Sequence, residues 1–449
     1  MGKHHAKRRP ISAWVTRPAA GVGFVLALVL TGCATTHDLM PTPVIYRGPD
    51  ARPLFVNVPV DDKPPSLDLL FVTDRVATQQ ADGLRYTAGR SRSVAFGSAS
   101  VQFGEGLDWK RLIEESTTRH GNGVQLKLGP VTELGRFPPI PYEVAVLPDG
   151  IRRARATVEA FEEAKHELQA DIARRLALAP RKEVVLFVHG YNASFENAAL
   201  TMGELCHFLG REFVCGIFTW PAGSHGGILF GYDMDRESSE YAIEDLVKLI
   251  RIIGRTPGVE KVHLLAHSRG TDTLASALAE LSAEAYTLRS SPEREFHIAN
   301  VMLIAPDLDG DVAVTKIFKV FSDPDLPFGE RADPGAVIPP APGFRVTLYV
   351  SPDDKAIATA GWLFGGIPRL GRIDATMLTP EQIEAIDMLH VVDIVQVRGT
   401  TDFFGHRYFV SNPKVSADIV AMLRYDLRPN DPGRPLEHVA GSFWRVPGQ

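Results

Sequence analysis

The run Val262-His263-Leu264-Leu265-Ala266-His267-Ser268-Arg269-Gly270 carries an apolar strand into a serine with alanine two residues before it and glycine two after. A strand that turns sharply into a helix leaves room only for small side chains at those two positions, and it lifts the serine hydroxyl above the sheet edge. At a helix N-terminus the aligned peptide dipoles favour developing negative charge. The chemistry on offer is nucleophilic attack by Ser268 on a carbonyl carbon, through a covalent acyl intermediate. A second apolar run, Glu183 to Val188, leads into His189-Gly190-Tyr191-Asn192. This loop suits an oxyanion site. The amide of Tyr191, after the glycine, and that of Arg269, after the serine, would face the oxygen of a tetrahedral intermediate. Only backbone donors are needed there, so the His189 side chain reads as a brace for the loop.

A serine of this kind needs a base to take its proton and an acid to orient that base, in the chain order serine, acid, histidine. Of the 14 histidines, His406 best fits a loop after the last strand and ahead of a closing helix near Val415. His267 adjoins the serine, and neighbours at such a turn point apart; His390 precedes its strand and belongs to the wrong sheet edge. Asp354, in Ser351-Pro352-Asp353-Asp354-Lys355-Ala356-Ile357, is the expected acid, with Asp353 facing solvent. Asp307 and Asp309, in Ala305-Pro306-Asp307-Leu308-Asp309, are the alternatives. No cofactor is implied. No cysteine pair has metal-site spacing and no His-Glu-x-x-His is present, so metal chemistry has little support.

The elements that must position these residues read as short buried strands alternating with helices. Leu69 to Thr73, Ser93 to Phe103, Glu183 to Val188, Val214 to Thr219, Val262 to Ala266, Val301 to Ala305, Val346 to Val350 and Val391 to Val397 are the strand candidates. Arg152 to Leu178 and Ile243 to Ile253 are amphipathic helices. Apolar runs of four to eight residues separated by helices are the signature of a mostly parallel sheet covered on both faces, and the fold class is α/β. Pro221 to Asp235, glycine-rich with Phe230 and Tyr232, is either a surface loop or the lining of an acyl pocket near the mouth. Ser322 to Gly343, dense in Pro, Gly and Asp, reads as a long loop.

The chain of 449 residues has 48 basic and 54 acidic side chains, a net charge of −6, and ordinary globular composition. Five of the bases (Lys3, Lys7, Arg8, Arg9, Arg17) fall before Gly32, where there is no acid, so the remainder is more acidic still. That excludes a basic footprint for nucleic acid. The apolar run Ala19 to Leu30 is too short to span a bilayer and reads as part of a signal peptide. It ends in Leu30-Thr31-Gly32-Cys33, which resembles the lipobox of bacterial lipoproteins and makes Cys33 the expected lipidation site. Ala34 in place of aspartate favours the outer membrane, with the protein facing the periplasm. Cys206 and Cys215 could bridge in an oxidising compartment or lie apart as buried small hydrophobes. The expected organisation is a signal peptide over 1–32, a proline-rich tether over 33–66, a catalytic domain over 67–429 and a tail over 430–449.

A resemblance covers roughly residues 67–425. Leu70-Phe71-Val72-Thr73-Asp74-Arg75, Ser93 to Gly97, Phe187 to Asn192, Phe218-Thr219-Trp220-Pro221-Ala222, Tyr232 with Asp235, the turn from Ala266 to Gly270, Ala305 to Asp309, and Gly405-His406 together resemble an uncharacterised family of bacterial α/β-hydrolase-fold proteins, distantly lipase-like and often exported. The resemblance implies an α/β-hydrolase fold and a serine hydrolase triad carried here by Ser268, Asp354 and His406. Arg269 stands where that family usually has methionine. The backbone amide is what the position contributes, so activity is expected to survive with a more basic pocket entrance. The expected function is hydrolysis of carboxylic esters, small-molecule or lipid, by an envelope enzyme anchored through Cys33. A non-catalytic envelope lipoprotein on the same scaffold is one alternative, and an amidase or peptidase using the same triad is another. The resemblance supplies no natural substrate, and the sequence leaves the oligomeric state open.

Overall fold

The computed structural model describes residues 37–56, 65–118, 123–223, 227–317, 343–363, 369–399, 402 and 404–448. Within these, fourteen strands form in chain order: β1 (His37–Asp38), β2 (Ser66–Gln80), β3 (Gly83–Phe103), β4 (Gln125–Arg136), β5 (Val144–Leu147), β6 (Gly150–Arg153), β7 (Glu183–Val188), β8 (Val214–Thr219), β9 (Lys261–His267), β10 (Ile298–Ile304), β11 (Arg345–Val350), β12 (Val392–Gln396), β13 (Glu437–Ala440) and β14 (Phe443–Arg445). Twelve make one sheet in the order β1-β4-β3-β2-β8-β7-β9-β10-β11-β12-β14-β13, while β5 and β6 pair only with each other. From β2 to β14 the neighbours are parallel, and β3, β4 and β1 add antiparallel strands at one edge.

The central strands form where the sequence offers unbroken apolar runs. All six residues of β7 and all six of β8 are buried, as strands covered on both faces must be. Helix Ile243–Gly254 lays Leu246, Val247, Leu249, Ile250 and Ile253 against one face at helical spacing. Ser194 starts helix Phe195–Phe208 on the other face by accepting from the Asn197 amide at 3.1 Å. The winding reverses around β7, which lies between β8 and β9. In open α/β sheets a crevice forms beyond the carboxyl ends of strands at such a point.

Three expectations about the chain's organisation need correction. The stretch assigned to a tether is packed where it is described: His37–Asp38 pairs with β4, and Leu39, Met40, Tyr46 and Leu54 are buried in the core. Prolines remove hydrogen-bond donors without preventing the apolar side chains between them from burying. The segment assigned to a tail supplies β13 and β14, with Phe443 fully buried. Pro221 to Asp235 is no loop beyond its start, because helix Gly227–Tyr241 takes up its second half. The expected signal-peptide segment, Cys33, and Ser322 to Pro342 of the expected long loop lie outside the described residues. Cys206 and Cys215 are bridged, with Cα atoms 6.2 Å apart, tying helix Phe195–Phe208 to β8. Closing so short a loop stabilises the fold by about 2.5–3 kcal/mol on the chain-entropy account.

His189, His207 and His263 are buried as neutral rings, and His267 is partly buried and neutral too. Burial pushes His189 down to about 3, and it drives His207, His263 and His267 below the ordinary imidazole range. His207 Nδ1 accepts from Arg211 at 3.1 Å, a contact that a proton there would turn into repulsion. In the unfolded chain these rings titrate near pH 6.5, so below that pH the unfolded state binds protons the native state refuses. Stability is therefore fully present above about pH 6.5 and falls as the pH is lowered, by up to about 1.4 kcal/mol per pH unit per ring. Urea unfolding midpoints measured from pH 7 to pH 5 should drop steadily. A flat profile would mean that these rings take up protons in the native fold.

Candidate active site

Ser268 sits at the turn between β9 and helix Gly270–Thr287 with φ 53°, a left-handed conformation that costs a non-glycine residue about 1–2 kcal/mol. The surroundings hold it there. Its amide donates to Ile304 O of the neighbouring strand at 2.9 Å, and its carbonyl accepts from the Thr271 amide at 3.0 Å and from Thr271 Oγ1 at 2.7 Å. The loop after β7 presses directly on this turn. A Cβ on Gly190 would lie 2.6 Å from Ser268 Cβ, and one on Gly270 would lie 2.3 Å from His189 O. Both glycines are there because two backbones meet.

The acid and the histidine follow β11 and β12, the second and third strands past β9 along the sheet. His406 Nδ1 donates to Asp354 Oδ2 at 2.7 Å, which leaves Nε2 as the acceptor that a general base requires. Asp354 is fully buried, and its other oxygen caps helix Lys355–Leu363 by accepting from the Ile357 amide at 2.9 Å. The loop bearing His406 is held at several points. Its Phe404 carbonyl accepts from the Lys355 amide at 2.9 Å, and Asp402 accepts from the His406 and Arg407 amides. His267 Nε2 donates to the His406 carbonyl at 3.1 Å, with ring centroids 4.6 Å apart. Burial keeps His267 neutral, so it adds no charge beside His406. No hydrogen bond joins Ser268 Oγ to His406. Catalytic contacts of this type commonly tighten only when substrate is bound.

The alternative acids are engaged elsewhere. Asp307 accepts from Tyr232 Oη and lies 3.7 Å from Arg369 Nε, and Asp309 caps helix Gly310–Ile317 through the amides of Asp311 and Val312. Asp353 is exposed and accepts from the Gly399 amide.

Opposite the serine, the loop after β7 is fastened by side chains whose roles the sequence reading did not assign. Asp235 Oδ2 accepts from the amides of Asn192 at 2.9 Å and Gly223 at 3.1 Å. Arg75 is buried and gives Nε to Thr219 Oγ1 at 2.7 Å, Nη1 to Ala222 O at 3.0 Å and Nη2 to Ala193 O at 2.7 Å. His189 Nε2 accepts from the Trp220 amide at 3.1 Å, its carbonyl accepts from Trp220 Nε1 at 2.9 Å, and the two rings stack at 4.9 Å. The side chain is the brace that the sequence suggested. A charged residue at the end of an apolar strand was the available signal for Arg75, and an acid inside a glycine-rich segment was that for Asp235. The amides of Tyr191 and Arg269 donate to no other described residue, which leaves them free to meet an oxyanion.

Arg269 itself departs from expectation. Its guanidinium is nearly buried, 2.6 Å from Asp272, and bonded to Ser239 Oγ and Glu240. Its charge is spent on those acids, so the entrance is not made more basic by it. Tyr232 is buried with its hydroxyl on Asp307, and its ring lies 5.3 Å from that of Tyr191. Among the described residues no cluster of His, Cys, Asp and Glu could hold a metal ion.

Comparison with known proteins gives one family. The profile described as "Alpha/beta hydrolase of unknown function (DUF900)" matches residues 164–424. No curated protein matches the chain. Similar solved structures include an esterase from Pyrobaculum calidifontis, at 14% identity over 55% of this chain and 78% of that one, with a TM-score of 0.28. Est1E from Butyrivibrio proteoclasticus with bound ferulic acid shows 13% identity over 55% and 92%, with a TM-score of 0.26. Phospholipase PlaB from Legionella pneumophila shows 12% identity over 39% and 40%, with a TM-score of 0.22.

The geometry separates the three acids in a test. Asparagine at 354 can still cap the following helix but favours the wrong imidazole tautomer, so Asp354→Asn should slow the reaction of Ser268 with a fluorophosphonate by about 10⁴ while leaving the fold intact. Asp307→Asn and Asp309→Asn should cost far less. If either of those is the crippling change and Asp354→Asn stays reactive, Asp354 is not the orienting acid.

Proposed function

We propose a serine hydrolase acting on carboxylic esters for this chain, which belongs to the DUF900 family of α/β hydrolases of unknown function. The observation that carries the reading is the 2.7 Å bond from His406 to a buried Asp354, on a loop that also touches the residue preceding Ser268. In this mechanism Ser268 Oγ attacks the ester carbonyl while His406 Nε2 takes its proton. Asp354 holds the imidazole and stabilises its cation. The amides of Tyr191 and Arg269 receive the oxyanion, in a setting fixed by the Asp235 and Arg75 contacts and therefore already oriented before charge develops. His406 returns the proton to the departing alcohol. Water then repeats the sequence on the acyl-enzyme and releases the acid. The cycle needs no cofactor.

The substrate in this reading is a small-molecule or lipid ester, and the site of action is the cell envelope, reached by export and by lipidation at Cys33. The Cys206–Cys215 bridge supports an oxidising compartment, where such bonds persist.

Two measurements test these parts separately. A fluorophosphonate probe should label the wild type at Ser268, and Ser268→Ala should lose both the label and hydrolysis of short p-nitrophenyl esters, by on the order of 10³-fold or more, with thermal unfolding nearly unchanged. A folded Ser268→Ala protein that keeps its activity overturns the nucleophile. Metabolic labelling with palmitate should mark the wild type and not Cys33→Ser; lipid retained by Cys33→Ser would remove the anchor.

A further inference from the structure

The hairpin β5–β6 has no partner in the main sheet, and all eight of its residues are exposed. An isolated two-stranded hairpin is marginal in water. Its place follows from strand register. Thr219 at the end of β8 pairs with Thr73, Thr73 with Ala95, and Ala95 with Arg136 at the end of β4. The chain leaving β4 thus emerges at the sheet edge where Ser268 and the His189 loop lie. Its base is closed there by the Ala154 amide on Glu143 O at 2.8 Å and the Ile140 amide on Arg92 O at 2.8 Å.

The side chains are those of an interfacial element. Register puts Val144, Val146, Ile151 and Arg153 on one face, and Ala145, Leu147 and Arg152 on the other. Val146 is 78% exposed, Ile151 71% and Val144 54%. A protein partner would cover one face and leave the other apolar face in water, whereas the boundary between headgroups and acyl chains surrounds both. Three arginines follow within four residues, Arg152, Arg153 and Arg155, in a chain of net charge −6. Arg152 and Arg155 pair with Asp149 and Glu159 in exposed contacts. Such pairs are weak and yield readily to phosphate. Apolar side chains fringed by arginine are the composition that binds anionic membranes. Two hairpins from separate copies would instead bring the same arginines together. We propose that β5–β6 docks the protein on an anionic lipid surface and so presents the catalytic edge to ester lipids held there. The substrate class rests on the ester-hydrolase reading; the docking does not.

The test uses the full chain carrying Cys33→Ser, so that no acyl anchor contributes, with sedimentation on phosphatidylglycerol/phosphatidylcholine vesicles. This protein should co-sediment, and more weakly on phosphatidylcholine alone. Val146→Asp with Ile151→Asp should lower partitioning by about tenfold or more. Arg152→Gln with Arg153→Gln should lower it by about fivefold or more on the anionic vesicles. Both variants should hydrolyse a short soluble ester at the parent's rate. A parent that stays in the supernatant, or variants that bind as well as it does, overturns the proposal. So does a parent dimer that the hairpin variants split on size exclusion, because the occupant would then be a second copy. Hairpin-dependent binding without ester hydrolysis in any of the three upholds docking and removes the hydrolase reading.

Discussion

The site depends on one close approach, between the turn at Ser268 after β9 and the loop at His189-Gly190 after β7. These strands are parallel neighbours, and their ends come so near that neither Gly190 nor Gly270 has room for a Cβ. The contact fixes the serine against the peptide that would receive the oxyanion. Every other part of the site acts to keep these two backbones, or the histidine above them, from moving apart. The left-handed turn at Ser268 stores local strain that the bonds from Ile304 and Thr271 offset.

Two buried charges on this edge bridge its loops. Arg75 reaches the loops after β7 and β8 together, and Asp235 gathers an amide from each. A single guanidinium and a single carboxylate thereby set the spacing of both loops. Removing one partner from such a buried network costs more than the pair is worth in place, because the survivor stays desolvated. Asp354 is engaged twice, by a helix N-terminus and by His406, so the orientation of the ring is tied to where the helix begins. His267, which sequence logic set aside as a base, has its own part: it holds the backbone of His406, the histidine proposed for that role.

The sequence by itself determined the α/β class, because unbroken apolar runs such as Val184 to Val188 are stable only between two covered faces. It determined the Ser268 turn and the His189-Gly190 loop, whose small residues are dictated by local sterics. It also ordered the acids, since Asp354 stands after a strand that ends at the right edge and before the histidine. Tertiary structure decided what depends on distant contacts. Whether Leu39 and Phe443 would pack or trail could not be read from proline content, because burial is set by the surface they meet. Arg269 looked like a charge at the entrance until Asp272 and Glu240 were placed beside it. The roles of Arg75 and Asp235 lie between elements far apart in the chain, and a hydrogen bond across such a separation leaves no periodicity in the sequence to announce it.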